Sequence, residues 1–237
     1  MSAPVFLAEH LDRPRVLLTG AEGRHAAGAR RLAPGEAADL VDGCGTRADC
    51  RVLRTGRDEV EFEVLSRRFE PEPTPRLVLV QALPKGDRGE RAVELATEVG
   101  VDEIVPWVAA RCVMQWRGER GARQLDRWRA TAREAAKQSR RARVPLVTGL
   151  HTTSQVAARL RGGTGLVLHE AADLPLTGVE LPTVGDVVLV VGPEGGITGD
   201  ELDELGAPAV CLGSGVLRTS TAGAAAVAVL SVRTGRW

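Results

Sequence analysis

The chain has 237 residues, 43% of them hydrophobic, which is enough to bury one large core or two smaller ones and too apolar for wholesale disorder. No apolar run reaches membrane-spanning length and the first ten residues lack a signal-peptide pattern, so we expect a cytoplasmic protein without a membrane segment. The formal net charge is zero, but residues 73–150 hold 15 basic and 9 acidic residues, and this third of the chain is therefore the part suited to a polyanion.

The four cysteines, Cys44, Cys50, Cys112 and Cys211, have spacings that match neither a zinc site nor a small disulfide scaffold. We expect reduced and mostly buried thiols, and no metal site.

Residues 1–70 show short apolar runs between dense turn signals, including Asp42-Gly43. The stretch 25–36 starts like a helix and stops at Pro34-Gly35. This pattern is typical of a small β barrel. Strands are predicted at 15–18, 37–41, 51–53 and 60–65.

Residues 69–76 are polar and rich in proline, which cannot continue a helix or a central strand. We therefore predict one domain over 1–70, a linker over 71–76 and a second domain over 77–237.

From residue 77 buried strands alternate with helices, which predicts a parallel sheet covered on both faces. Gly100 is expected to close the first helix from the C′ position. The predicted strands are 77–83, 104–108, 144–148, 166–168, 187–191 and 209–212. Helices are predicted at 88–99, 124–140 and 154–161, with further helices after the last two strands.

Glycine loops follow the last two strands, GPEGG at 192–196 and GSG at 213–215. Thr198 with Glu201 forms a capping box for the helix after the first loop, and Thr219 or Ser220 is expected to cap the helix after the second. Parallel strands would bring both loops to one crevice, where bare backbone can recognise a flat adenosine. The Walker pattern GxxxxGK[ST] is absent. The GxGxxG fingerprint is also absent, because Arg218 stands where its third glycine would be. Spacing alone fits ordinary strand-to-helix turns equally well.

The pair GPEGG and LGSGVLRTSTAG resembles the two cofactor loops of the SPOUT methyltransferases, specifically the 16S ribosomal RNA (uracil-N3) methyltransferase family. The stretch QALPKGDRGERAVELATEVGV is similar to the first strand and helix of its catalytic domain. In the N-terminal region, His25, Arg31, Pro34-Gly35 and Asp42-Gly43 match its PUA-like domain. The chain departs from the family at Arg30, Ala110, Lys137 and Ser220; many members have glutamate in place of Ser220.

The resemblance implies an α/β protein, with a PUA-like, OB-type β barrel followed by a trefoil-knotted SPOUT domain with a parallel sheet. It also implies transfer of a methyl group from S-adenosylmethionine to N3 of a uridine in 16S rRNA of the 30S subunit, near the decoding region. The expected partners are that rRNA and a second copy of the chain bound through the SPOUT domain. Two alternatives stay open: a SPOUT ribose 2′-O methyltransferase acting on rRNA or tRNA, and a catalytically silent RNA-binding homologue, to which the Ser220 departure gives some weight.

Arg218 is the predicted catalytic residue, because a guanidinium at a helix start could reach the target base and stabilise a developing anion. A structural ion pair with Glu194 or a nearby carboxylate is the alternative. No general base is named. Glu194 suits loop shaping, and His169 with Glu170 is expected to line the cofactor cleft. The predicted cofactor-binding residues are Leu168, His169, Gly192, Pro193, Glu194, Gly195, Gly196, Leu212, Gly213, Val216, Leu217 and Thr219.

The basic residues between Arg123 and Arg143 are too many for one helix face, so some must be solvated. With only 3% aromatic residues, backbone contacts rather than base stacking should dominate RNA binding. The last helix, apolar on all sides, is expected to be buried all round and to join a dimer interface. The predicted RNA-binding residues are His25, Arg30, Arg31, Lys85, Arg111, Gln138, Arg141 and Arg143.

Overall fold

The computed structural model describes residues 3–237 and separates the chain into two units. One unit contains the chain up to Glu72 together with Ala136–Val144; the other contains Pro73–Ala135 and Pro145–Trp237. The sequence assigned 136–144 to the second domain, but this segment packs with the N-terminal sheet. Its Ala142 and Val144 form a small apolar cluster with Val5, Leu7 and Val41. Burial of those side chains, which the local pattern does not reveal, decides where the segment belongs.

The first unit is built on a five-stranded sheet with the order β1-β3-β4-β5-β2, in which β1 runs parallel to β3 and the other pairs are antiparallel. Phe6, Leu40 and Phe62 are fully buried at its core. The elements are β1 (Val5–Leu7), β2 (Arg15–Leu18), α1 (Gly20–Arg24), a π-helical turn (His25–Ala29), β3 (Ala37–Val41), β4 (Thr46–Thr55) and β5 (Val60–Phe69).

The predicted strands at 15–18 and 37–41 are confirmed with the same bounds. The predicted strands at 51–53 and 60–65 are parts of longer ones, since β4 and β5 each have ten residues. The two pair along their full lengths through two register shifts, and these ladder hydrogen bonds extend both strands across residues whose apolar alternation is weak.

The second unit is built on a six-stranded, all-parallel sheet with the order β11-β9-β10-β6-β7-β8, which confirms the parallel sheet expected from the alternation. Its strands are β6 (Arg76–Ala82), β7 (Glu103–Trp107), β8 (Leu146–Val147), β9 (Thr164–Leu168), β10 (Asp186–Val191) and β11 (Ala209–Val210). Its helices are α2 (Arg88–Glu98), α3 (Gly118–Gln138), α4 (Thr153–Arg161), α5 (Gly199–Leu205) and α6 (Thr219–Arg233), with a short 3₁₀ turn at Leu176–Gly178. The last three residues of α3 belong to the first unit.

Strand β10 occupies the middle of this sheet, between β6 and β9. Its valines and its leucine are all buried, as a strand with neighbours on both edges and both faces requires. Because the strands are parallel, the loops after β9, β10 and β11 leave the sheet at the same edge. The strand order therefore brings both glycine loops together, as the sequence predicted.

Helix α3 begins at Gly118, six residues before its predicted start at 124. The Trp116 ring meets the Trp128 ring edge-on, with 4.9 Å between the centroids, and a Cβ on Gly121 would lie 2.7 Å from the Trp116 carbonyl carbon. Close packing around Trp116 thus fixes a first turn that its Gly-rich, charged sequence does not suggest.

Helix α6 corrects two expectations. Its N-cap is Arg218, with no side-chain capping bond, and the Thr219 hydroxyl instead donates to the carbonyl of Gly192. The helix is also not buried all round in the single chain. Gly223 packs against β6, where a Cβ would lie 2.9 Å from Leu79 Cδ2, whereas Val232 is 60% exposed. Among residues 3–237, no helix combines the length and apolar composition needed to cross a membrane.

Candidate active site

A pocket of about 410 Å³ lies at the carboxyl edge of the parallel sheet. Its walls come from the ends of β9, β10 and β11 and from the loops that follow them, with Ala222 of α6 and Arg88 of α2 completing it. This is the position where open α/β sheets bind ligands.

The GPEGG loop after β10 has a shape that only glycine permits at two positions. A Cβ on Gly192 would lie 2.7 Å from Ile197 Cγ1, and Gly196 has a φ of 75°. The amide of Gly196 donates to the Pro193 carbonyl at 2.9 Å, closing a tight turn. The bond from the Thr219 hydroxyl to the Gly192 carbonyl then ties this loop to the start of α6. The two loops found in the sequence are thus joined directly.

Glu194 is held by the first residue of α2 and by the loop that precedes this helix. Its Oε1 accepts from Arg88 Nη1 at 2.8 Å and from the Lys85 amide at 3.2 Å. Partial burial opposes ionisation, but hydrogen bonds from its own amide, Arg88 and Lys85, together with the Arg88 charge, outweigh it and lower the pKa of Glu194. The carboxylate is therefore charged and engaged in shaping the loop.

Arg111 supports the same loop from the other direction. Its Nη1 donates to the Gly195 carbonyl at 2.9 Å, and a Cβ on Gly195 would lie 3.1 Å from Arg111 Cβ. The sequence assigned Arg111 to RNA; the structure gives its guanidinium a contact with the cofactor loop.

Buried Glu201 connects three segments beneath the loop. It forms the predicted capping box with Thr198, accepts from the Ala110 amide at 2.8 Å and accepts from the Thr153 hydroxyl at 3.3 Å. The start of α5, the loop after β7 and the start of α4 are therefore fastened to one carboxylate. The capping pattern predicts the first bond, while the other two join residues 91 and 48 positions apart in sequence.

The end of β9 contributes His169 and Glu170. The His169 amide donates to the Val210 carbonyl at 3.0 Å, and its Nδ1 accepts from the Ala171 amide at 3.2 Å. An Nδ1 that accepts this bond leaves the proton of the neutral ring on Nε2, so the imidazole presents a donor to its surroundings.

The segment from Gly213 to Arg218 is exposed throughout, and Val216 is 81% exposed. Arg218 lines the pocket, and its carbonyl accepts the first intrahelical bonds of α6. Within the described part of the chain its guanidinium has no acidic partner, and Glu194 is paired with Arg88 instead. The predicted alternative of an Arg218–Glu194 ion pair is therefore wrong.

Eleven of the twelve predicted cofactor-binding residues line this pocket; Gly195 does not, although its carbonyl holds Arg111. Sequence reasoning missed Arg88, which lies in the PKGDR stretch next to two residues that had been noted, Lys85 and Gly86. It also missed apolar and small residues at strand ends, in the loops and in α6, namely Val191, Ile197, Val210, Cys211, Gly215 and Ala222. Their position after buried strands was the available signal.

The predicted RNA-binding residues divide between the two units. Lys85 and Arg111 belong to the second unit and flank the GPEGG loop. The exposed pair Arg30 and Arg31 follows the π-helical turn of the first unit.

Two other predicted RNA-binding residues make internal contacts within the first unit. His25 packs edge-on against Phe6, and Arg143 donates to the Glu70 carbonyl while lying 5.3 Å from the centre of the Phe69 ring. Gln138 is exposed and Arg141 is half-buried in the same unit.

Comparison of the chain with known proteins identifies its family. Residues 70–231 match the model of an RNA methyltransferase domain, and residues 18–65 match that of an RNA methyltransferase PUA domain. The ribosomal RNA small subunit methyltransferase E of Mycobacterium bovis is 48% identical over 93% of this chain and 87% of its own length, and that of Bacillus subtilis is 29% identical over 94% and 92%.

A solved structure has the same overall fold. The crystal structure of the corresponding Neisseria gonorrhoeae enzyme bound to S-adenosyl methionine is similar with a TM-score of 0.88 and 28% identity, covering 98% of both chains. The PUA-like sheet, the parallel sheet and the glycine-loop pocket are thus those of a SPOUT-type RNA methyltransferase. This chain belongs to the ribosomal RNA small subunit methyltransferase E family.

Proposed function

We propose that the protein transfers the methyl group of S-adenosylmethionine to N3 of a uridine in 16S rRNA. The observation that carries the proposal is the joining of two glycine loops around one pocket with an unpaired guanidinium at its edge. The names of the related enzymes and the ligand of the Neisseria gonorrhoeae structure support the same assignment.

The pocket suits this cofactor in size and chemistry. Its volume of about 410 Å³ is within the range typical of small-molecule sites. Gly192, Gly196 and Gly213 carry no side chain, so an adenosine can lie directly against the backbone of the pocket. The buried Val191 and Ile197 and the half-buried Leu168 and Leu212 offer apolar contacts to its base. We assign the holding of the cofactor to these residues and to Thr219.

When bound, S-adenosylmethionine supplies an electrophilic methyl group on a sulfonium centre. The uracil N3 carries a proton, whose loss places negative charge on O2 and O4. Arg218 can stabilise that charge because it lines the pocket and has no acidic partner among residues 3–237. Loop residues that fix the uracil relative to the cofactor contribute by orientation.

Neither of the hydrogen-bonded titratable groups of the pocket, Glu194 and His169, is poised as the base. Glu194 is engaged with Arg88 and has a lowered pKa, and His169 Nδ1 already accepts from the Ala171 amide. We therefore propose that the N3 proton leaves to solvent, which the exposed second loop admits, while Arg218 favours the anion.

We also propose a homodimer formed through α6. The helix presents an open apolar face, on which the half-buried Val229 and the exposed Val232 lie close to one another on successive turns, and the exposed Leu217 precedes it. A second copy would remove this face from water, and the loop that holds Arg218 would lie near the interface. We place the reaction in the cytoplasm, on rRNA of the 30S subunit.

The assignment is tested by incubating the purified protein and S-adenosylmethionine with 30S subunits, or with bare 16S rRNA, from cells that lack the enzyme. Mass spectrometry of nuclease fragments should find one added methyl group on a uracil base. A methyl group on a ribose would instead indicate a 2′-O methyltransferase. If calorimetry detected no binding of S-adenosylmethionine, the protein would be a silent RNA-binding homologue and the proposal would fail.

A further inference from the structure

The outer face of α3 carries arginines that the pocket does not use. Arg117 directly precedes the helix. Arg120, Arg123 and Arg127 are spaced three and four residues apart within it, which places these three on one helix face. All four are exposed. We call these four residues the α3 ridge.

The ridge is almost free of internal partners. Arg123 faces Glu119 at 3.7 Å, with both side chains largely exposed. The guanidinium groups of Arg117, Arg120 and Arg127 have no hydrogen-bond or acidic partner in the described part of the chain. The nearby Asp126 pairs with Arg129 on another side of the helix. Exposed arginines with so few internal partners, at the start of an ordered helix, form a surface that can bind an external anion.

The orientation of the ridge is fixed from behind. The opposite face of α3 buries Trp128 and Ala132 in the core of the second unit. Trp116 packs against Trp128 just before the helix and holds its first turn. At a rise of about 1.5 Å per residue, Arg120 and Arg127 stand about 10 Å apart along the axis, a span that can face more than one phosphate of a nucleic-acid strand.

The helix that carries the ridge also contacts the start of α2, which borders the active site. A Cβ on Gly89 would lie 2.7 Å from Trp128 Nε1, so the start of α2 rests directly on α3. The neighbouring residue, Arg88, lines the pocket and pairs with Glu194. The same rigid indole thus supports both the ridge and the loop that shapes the pocket.

We propose that the α3 ridge binds the phosphate backbone of the substrate RNA beside the target nucleotide. The inference rests on the proposed function, because it needs an RNA strand at the mouth of the pocket. Four arginines with a single exposed carboxylate against them complement a polyanion, and guanidinium groups bind phosphate oxygens in bidentate fashion. The ridge therefore positions the RNA without reading its sequence.

The test compares the variants Arg120→Ala, Arg127→Ala and their double with Arg161→Ala. Arg161 is also an exposed arginine, but it lies in the last turn of α4, a different helix. The probe is an unmodified 16S rRNA transcript, whose binding is measured by filter retention over a series of KCl concentrations. Calorimetry with S-adenosylmethionine reports separately on the pocket.

We expect the double variant to bind the transcript roughly tenfold more weakly, with the slope of log K against log salt reduced by about 1.5, which corresponds to two lost phosphate contacts. S-adenosylmethionine affinity should be unchanged, and Arg161→Ala should match the unsubstituted protein in both assays. Equal transcript binding and equal salt slopes for the double variant and Arg161→Ala would overturn the ridge alone. Failure of the unsubstituted protein to bind the transcript or S-adenosylmethionine would overturn the proposed function, and the ridge with it.

Discussion

Arg218 and Glu194 have opposite situations although both line the same pocket. Glu194 is fixed by Arg88 and by the Lys85 amide, whereas Arg218 has no acidic partner among residues 3–237. The first arrangement builds the loop, and the second leaves a charge available for substrate. At the scale of single residues, the presence or absence of an internal ion pair therefore distinguishes Glu194, which supports the loop, from Arg218, which is free to contact the substrate.

Replacing Arg218 with alanine should lower kcat by about 100-fold, the usual effect of removing one donor to a developing anion. The Kd for S-adenosylmethionine should change little, because the loss affects the charge on the uracil. Single-turnover methylation with saturating cofactor measures the first quantity and calorimetry the second. Arg161→Ala, on α4, is the control and should retain full activity; a kcat for Arg218→Ala within about threefold of the control would contradict the proposed role.

The lowered pKa of Glu194 predicts a pH dependence of stability. Its ordinary value is 4.5 and its folded value is lower, so the stabilisation by its interactions is complete above pH 4.5 and disappears as the pH falls through the folded pKa. Thermal melting should therefore give a constant difference between the unsubstituted protein and Glu194→Gln across the neutral range, and a shrinking difference below pH 4.5.

Glu170→Gln is the matched control for this experiment. It removes an exposed carboxylate of the same pocket that has no arginine partner in the described part of the chain. Its melting temperature should follow that of the unsubstituted protein at each pH. A Glu194→Gln difference that grew on acidification would contradict the sign derived above.

Helix α5 shows how one capping residue organises several elements. Glu201 closes the capping box with Thr198 and, from a buried position, holds the loop after β7 and the start of α4. Thr198 and Glu201, three positions apart, predict the start of the helix from the sequence. The bonds of Glu201 to Ala110 and Thr153 form only when the folded sheet brings these segments together. At the scale of elements, the capping bonds of Glu201 join residues close in sequence, whereas its bonds to Ala110 and Thr153 join elements far apart in sequence.

Replacing Glu201 with alanine should destabilise the protein by about 2–3 kcal/mol, because the Ala110 amide and the Thr153 hydroxyl lose a buried acceptor together with the cap. Thr152→Ala removes the exposed N-cap of α4 and should cost only about 1 kcal/mol. Urea unfolding of both variants measures these free energies. Equal losses would show that Glu201 acts as a cap alone.

At the scale of the whole molecule, the single chain leaves one apolar face of α6 exposed to solvent. Val232 is exposed near the C-terminal end of a helix whose opposite side is buried against β6. In our proposal a second copy covers this face, which places the loop with Arg218 near the dimer interface.

Light scattering should accordingly find a dimer at micromolar concentration, and Val232→Glu should convert it to a monomer, since a carboxylate buried without a partner is strongly unfavourable. Val184→Glu introduces the same charge at another exposed valine, outside the helices, and should leave the dimer intact. A monomeric unsubstituted protein, or a Val232→Glu dimer of undiminished affinity, would remove the proposal.

The amino-acid sequence alone determined those features that depend on residues close together in the chain. The strand-to-helix alternation, the glycine loops and the Thr198–Glu201 cap follow from apolar periodicity, backbone freedom and hydrogen bonds across one helical turn. The resemblance carried by GPEGG and LGSGVLRTSTAG added the family, which the comparisons then established.

Only the tertiary structure decided which distant residues meet. In the folded chain, β10 lies between β6 and β9, and Glu194 pairs with Arg88, 106 positions away. Residues 136–144 pack with the N-terminal sheet, and one side of α6 remains exposed. These outcomes depend on how the strands order themselves and which apolar surfaces they bury. The free energy of such burial comes from contacts between segments far apart in sequence, so no local pattern could reveal them.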